Sequence, residues 1–275
     1  MPIFNVRKTL GSLLENVNQP VALAASAGID SSCLLVSLLD VGIKPVCVSF
    51  TLDDRESTDF IGAKKLADKF KCEFYPVVLP TDAGEVCAGV EVVLRHLIEM
   101  KMKISKTKTE CLWPFLYVCR FLESEGIGTL VTGHAAGGHF GTSKKAMIHY
   151  KTPKSKFQTF RSLFFRKPDF SQRQTLTALG SKHGVGVELP FGDPKMFSLF
   201  EDASWDDLNK PKQKQALRQE YPELDELKIK NNINFQLGDS GIADRISLCV
   251  RSRYASDARS AVTAYNRMAS VIISE

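Results

Sequence analysis

Apolar residues along the chain keep two alternating rhythms. Short runs at Val21 to Ala25, Pro45 to Phe50, Glu73 to Val78 and Thr129 to Thr132 are separated by longer stretches in which apolar residues recur every three or four positions. A short run with no polar face suits a strand covered on both sides, whereas three-to-four spacing suits a helix burying one stripe. The helical stretches carry Phe4, Leu10, Leu13 and Leu14, then Cys33 to Leu39, then Phe60, Ala63, Leu66, Ala67 and Phe70, then Val86, Val90, Val93, Leu94 and Leu97. A further helix runs from Trp113 to Glu125 and is closed by Gly126. Ile242 to Ile273 reads as helical, with Val250, Tyr254, Ala261, Tyr265, Met268 and Ile272 as its packing stripe. Strands alternating with helices at this spacing predict a doubly wound α/β fold, with a parallel sheet of about five strands and a helical C-terminal part.

The first turn of this pattern is the most informative. The strand Val21 to Ala25 ends at Ser26-Ala27-Gly28, and a helix begins at Asp30-Ser31-Ser32, where Asp30 is the expected N-cap. Small residues let backbone approach an anion, and the free N–H groups and dipole of a new helix favour negative charge. The turn is therefore a candidate phosphate site; an ordinary capped strand-turn-helix connection reads equally well from this segment alone. No Gly-Lys-Ser/Thr follows, so it is not a Walker loop. Residues 1–143 are then expected to form a nucleotide-binding core. Residues 144–275 should complete the sheet and cover its crevice within the same compact unit.

Composition adds little constraint. The 275 residues are 44% hydrophobic and 24% charged, as in a globular protein, and a net charge of +5 neither requires nor excludes a nucleic-acid partner. Seven cysteines lie scattered in apolar segments with no C-x-x-C pair and read as reduced core residues. With no signal pattern and no long apolar run, a cytoplasmic protein without membrane contact is expected.

After the fourth strand comes Gly133-His134-Ala135-Ala136-Gly137-Gly138-His139-Phe140-Gly141. Loops at the carboxyl ends of neighbouring parallel strands meet over one crevice, so this segment is expected to face the phosphate turn. Its two histidines have no recognised metal spacing, and a substrate-facing or structural role is expected of them. Lys144 to Phe170 interleaves Lys151, Lys154 and Lys156 with Phe157, Phe160, Phe164 and Phe165. Such a mixture can bind single-stranded nucleic acid; a mobile substrate loop followed by a core or oligomer helix is the preferred reading.

The turn Ser26 to Ser32 resembles the Ser-Gly-Gly-x-Asp-Ser loop of the PP-loop ATP pyrophosphatases, with Ala27 in place of the first Gly. Leu130 to Gly141 is similar to the asparagine synthetase segment Val-x-Ser-Gly-Glu-Gly-Ala-Asp-Glu-Leu-Phe-Gly-Gly-Tyr. Phe170 to Arg173 with Leu179-Gly180, Val187 to Asp193, and Lys214-Gln215-Ala216-Leu217-Arg218 resemble later elements of that family in the same order. The resemblance, over roughly residues 20 to 240, implies that Ser26, Ala27, Gly28, Ile29, Asp30, Ser31 and Ser32 hold the phosphates of ATP and that Asp30 binds Mg2+. It also places Phe50 and Thr51 at adenine, Gly133 and His134 beside the reacting groups, and Lys230 as the stand-in for a family lysine aligned at Asn232. The implied activity is that of a ligase releasing AMP and pyrophosphate and forming an amide. It would join a small-molecule acceptor to free ammonia, an amine, or ammonia from a separate amidotransferase, since no glutaminase precedes the first strand. Base modification of a nucleic acid and non-catalytic ATP binding are the alternatives, and a homo-oligomer is allowed. The chain departs from the family at His134, Gly137 and Gly138, where carboxylates are the rule.

Overall fold

A computed structural model describes residues 3–227, 238–257 and 260–274. Its centre is a five-stranded, all-parallel sheet built from β1 (Val21–Ala24), β2 (Val46–Leu52), β3 (Phe74–Leu79), β4 (Thr129–Val131) and β5 (Gly186–Glu188), in the order β3-β2-β1-β4-β5. The expected α/β fold class and strand number are those observed. On β1, Val21 and Leu23 face one layer of helices while Ala22 faces the other. That burial on both faces is why the strand carries no polar position.

One layer holds α1 (Val6–Leu14), α2 (Ile29–Asp40) and α3 (Thr58–Phe70); the other holds α4 (Ala83–Glu99) and α5 (Lys106–Ser124). After β4 come α6 (Ala136–Phe140), α7 (Lys144–His149), α8 (Lys154–Phe165) and α9 (Arg173–Ser181). Beyond β5 lie α10 (Pro194–Leu199), α11 (Trp205–Asn209), α12 (Gln215–Glu220), α13 (Ile242–Tyr254) and α14 (Ala261–Ser274). The basic segment around Lys151 is thus two helices and a turn, with Phe157 and Arg161 buried and the Lys151 ammonium 4.5 Å above the Trp205 ring.

The C-terminal stretch is helical as expected and forms two helices, α13 and α14. The break falls at 255–260, where Ser260 Oγ accepts from the Val262 N–H at 3.2 Å and Arg267 spans the turn to Asp257 at 2.6 Å. Breaking there lets both helices pack on α4, and Val250, Tyr265, Met268 and Ile272 are buried as the stripe predicts. Among the described residues, no helix is long and apolar enough to cross a membrane.

The connection from β1 leads to β2 on one side, whereas β4 lies on the other. Strand order therefore reverses between β1 and β4, and a crevice opens outside their carboxyl ends.

Candidate active site

The turn after β1 folds on itself through its serines. Ser31 Oγ donates to the Gly28 carbonyl at 3.1 Å, Ser32 Oγ donates to the same carbonyl at 3.0 Å, and Ser26 Oγ accepts from the Gly28 N–H at 3.1 Å. These bonds start α2 at Ile29 with Gly28 as its N-cap, so Asp30 is not the cap but lies in the first turn. Its carboxylate is free to point elsewhere. Ala27 turns away from the crevice towards α3, where a Cβ on Gly62 would lie 2.3 Å from the Ala27 methyl; α3 and the turn touch backbone to backbone. Ser32 likewise faces the helix rather than the crevice.

Asp30 meets Lys214. The Lys214 ammonium lies 2.6 Å from Asp30 Oδ2, with the lysine side chain only 2% exposed and that of Asp30 18%. Asp30 Oδ1 is buried and has no hydrogen-bond partner among the described residues. Lys214 sits in the left-handed region (φ 57°), and its N–H donates to Asn209 Oδ1 at 3.1 Å. Asn209 is fixed in turn by donating to the Phe140 and Trp205 carbonyls, each at 3.0 Å. Gly133 closes the other side: a Cβ there would stand 3.0 Å from that of Asp30.

These groups form the floor of a cleft of about 400 Å³, a size typical of small-molecule sites. Phe50 lines it from β2, with its ring 6.1 Å from that of Phe115 on α5. Thr51, the next residue along the pleat, points away and donates its hydroxyl to the Leu52 and Arg55 carbonyls. Lys214, Arg218, Thr107, Cys111, Phe115, Ser171 and Gln172 also line the cleft.

Ser171 and Gln172 are consecutive non-glycine residues with positive φ, 48° and 62°. Such backbone costs of order 1–3 kcal/mol per residue and persists only where the surroundings enforce it. Here Asp169 enforces it, accepting from the Thr175 N–H at 3.0 Å and the Lys108 ammonium at 2.7 Å.

His134 lines the cleft beside β4. Thr132 Oγ1 accepts the His134 backbone N–H at 3.0 Å and lies 2.5 Å from the ring Nδ1. Burial pushes the imidazole down to about 4. His139 points elsewhere: it is buried, with Nε2 2.6 Å from the Phe191 carbonyl and its ring against Phe165 and Phe200, and burial holds it down to about 3. The two rings share no ligand, and no cluster of three or more metal-ligating side chains occurs among the described residues.

The glycines standing where the resembled family has carboxylates differ from one another. A Cβ on Gly137 would meet open space, whereas one on Gly138 would lie 2.3 Å from the Phe164 ring. Phe164 of α8 therefore fills the volume that a side chain at 138 would need. Lys230, with its neighbours Lys228 and Asn232, lies outside the described residues.

The structure thus brings Ser26, Gly28, Ile29, Asp30, Ser31, Phe50, Gly133 and His134 to one cleft and leaves Ala27, Ser32 and Thr51 off its lining. Lys214, Arg218, Ser171 and Gln172 join it without having been singled out as site residues. A signal for Lys214 was present, since Lys214 to Arg218 is part of the quoted resemblance.

No protein-family model matches the chain, and no curated protein sequence is similar to it. Among solved structures, a predicted subunit of a tRNA methyltransferase from Methanocaldococcus jannaschii is 15% identical, with 74% of this chain and 86% of that one covered at a TM-score of 0.34. NMN synthetase from Francisella tularensis is 12% identical, with 92% and 95% covered at a TM-score of 0.34. At such identities and scores neither neighbour bears on what this chain does.

Proposed function

We propose that the cleft binds ATP with its phosphates on the turn after β1, and that the protein transfers AMP to an acceptor oxygen with release of pyrophosphate. Ammonia or an amine then displaces AMP, which makes the protein an AMP-forming carbon–nitrogen ligase. The observation that carries this reading is the pairing at the floor. A buried lysine and a carboxylate with an orphaned oxygen meet at the first turn of α2, where the dipole already favours an anion. The resemblance of Ser26 to Ser32 to the PP-loop supports the same assignment.

The floor also suits Mg2+. The ion is ordinarily bound by one or two carboxylates together with substrate phosphates, and the unpartnered Oδ1 of Asp30 supplies one such oxygen. When bound, Mg2+ would neutralise charge on the transferring and departing phosphates. The chain's own residues do the remaining work. The first turn of α2 orients the phosphates, Lys214 and Arg218 place fixed cations at the same end, and Phe50 with Phe115 offers apolar walls to a base. Reaction is then promoted by alignment and preorganised charge rather than by covalent participation of the protein.

Incubation with ATP, Mg2+, ammonium and a pooled metabolite extract, followed by mass spectrometry, tests the reading. AMP and pyrophosphate in equal amounts are expected. ADP with phosphate would refute the proposed bond cleavage, and intact ATP despite measurable binding would make the protein a nucleotide binder only.

A further inference from the structure

The chain holds no Asp or Glu between Glu125 and Asp169, yet from Lys144 to Lys167 it holds eight Lys or Arg. Of these only Arg161 is buried. Lys151 lies over the Trp205 ring, and Lys154 stands 3.9 Å from a fully exposed Asp202. Lys144, Lys145, Lys156, Arg166 and Lys167 have no ion pair among the described residues, so α7 and α8 present uncompensated positive charge.

Packing fixes which face of α8 is turned inward. Phe157 is buried, and Arg161 Nη2 donates to the Phe197 carbonyl at 2.8 Å. Helical spacing then turns Lys156, Thr159, Leu163, Arg166 and Lys167 outward, and all of them are exposed. Beside them α7 buries Ala146 and exposes Lys144, Lys145, Met147 and Ile148; the two helices meet where the Tyr150 ring lies 5.5 Å from that of Phe160. Ile148 is 63% and Leu163 49% exposed, so aliphatic side chains stand among the cations.

A nucleic acid and an anionic lipid leaflet both answer this charge, and the side chains between the lysines decide. Single-stranded nucleic acid is gripped by exposed rings on which bases stack. Here the rings are turned to one another: Phe160 to Tyr150 and Phe164, Phe164 to Phe165, and Phe165 to His139 and Phe170. What faces solvent between the cations is aliphatic, and a sugar-phosphate backbone gives it no partner. An anionic leaflet matches both parts, with headgroups for the lysines and hydrocarbon beneath them for Met147, Ile148 and Leu163.

We propose that α7 and α8 form a surface that docks on an anionic lipid leaflet, with the lysines at the headgroups and these three side chains reaching below. The proposal goes beyond the ATP reading and does not draw on it, and it departs from the expectation of a protein without membrane contact. The contact is peripheral and rests on exposed side chains that the fold already holds in place.

Sedimentation of the full chain with vesicles tests this, using phosphatidylcholine alone and phosphatidylcholine mixed with phosphatidylglycerol. The mixed vesicles are expected to carry the protein down at low salt, the neutral ones to leave it in solution, and added salt to release it. A lysine near an anionic surface is worth roughly a fivefold gain in partitioning, so changing Lys144, Lys145 and Lys156 together to Ala should lower binding roughly a hundredfold. Ile148→Ser with Leu163→Ser should lower it about tenfold or more through lost apolar contact. All these positions are exposed, so both variants should melt with the unmodified chain. Equal binding to the two vesicles, or undiminished binding of the Ile148 and Leu163 variant, would overturn the proposal. An oligonucleotide bound more tightly than the mixed vesicles through the same lysines would overturn it in favour of a nucleic acid.

Discussion

Replacing Lys214 with Met removes a cation from the floor of the cleft while keeping the length of the side chain. The lysine is almost wholly buried, and its ammonium lies 2.6 Å from Asp30 Oδ2. Removing one member of a buried pair ordinarily costs about 3–5 kcal/mol, because the other charge is stranded. Asp30 retains 18% exposure and sits in the first turn of α2, where the dipole favours it, so the lower end applies. A loss of about 3 kcal/mol should lower the melting temperature by about 6 °C or somewhat more in a chain of this size. Asp30→Ala strands the more deeply buried partner and should cost about 4 kcal/mol. Since both variants lose the same contact, the double variant should be markedly less destabilised than the sum of the two. Urea denaturation of the four proteins measures the coupling directly. For function, a lost charge-assisted hydrogen bond is worth about 1.5–3 kcal/mol, so Lys214→Met should weaken ATP binding about ten- to a hundredfold. Asp30→Ala should abolish turnover beyond any stability effect. Single-variant losses that add to within about 0.5 kcal/mol would show the pair to be uncoupled, and unchanged ATP affinity in Lys214→Met would show that the cation does not serve the phosphates.

Three further outcomes are expected. Gly138→Ala should cost about 1–3 kcal/mol because its Cβ collides with the Phe164 ring, and trimming Phe164 to Leu should recover part of that, whereas Gly137→Ala should be neutral or stabilising; the reverse order in thermal melts would contradict the packing. Burial lowers His96, His134 and His139 below the ordinary 6.5, so the unfolded chain binds protons first as pH falls; stability should drop from near pH 6.5 towards pH 4, and equal urea midpoints at about pH 7.5 and about pH 5 would refute this. Changing Lys151, Lys154 and Lys156 together to Ala should leave oligonucleotide affinity weak and unaltered; a tight affinity with a salt slope of roughly 0.7 per phosphate, lost in the triple variant, would instead favour a nucleic-acid substrate.

Much of the sheet was legible because β1, β2 and β4 lie under helices on both faces, so their sequences are mostly apolar. The turn from β1 into α2 was legible for a related reason, since an apolar run ends in small residues just before helical spacing begins. Capping was not, because Ser31, Ser32 and Asp30 all suit an N-cap and only the folded turn shows the two serines bonding Gly28. The break between α13 and α14 was hidden because the apolar spacing continues across it. Ser171 and Gln172 escaped notice because nothing in a Ser-Gln pair announces left-handed backbone; Asp169 and Lys108, which impose it, are 61 residues apart in the chain. Lys214 illustrates the same limit, for a lysine reads as exposed until its distant partner is known.

The pairing of Asp30 with Lys214 spans 184 residues, and β1 gains its neighbour β4 only after residue 131. Translation at about 5–20 residues per second places roughly 10–40 s between the emergence of the carboxylate and that of its counter-ion. During synthesis the turn after β1 exists as an anionic strand end with one sheet neighbour and no cation. If the cleft binds ATP as proposed, a nascent chain halted before residue 214 should therefore hold nucleotide poorly even where β1 to β3 have already assembled.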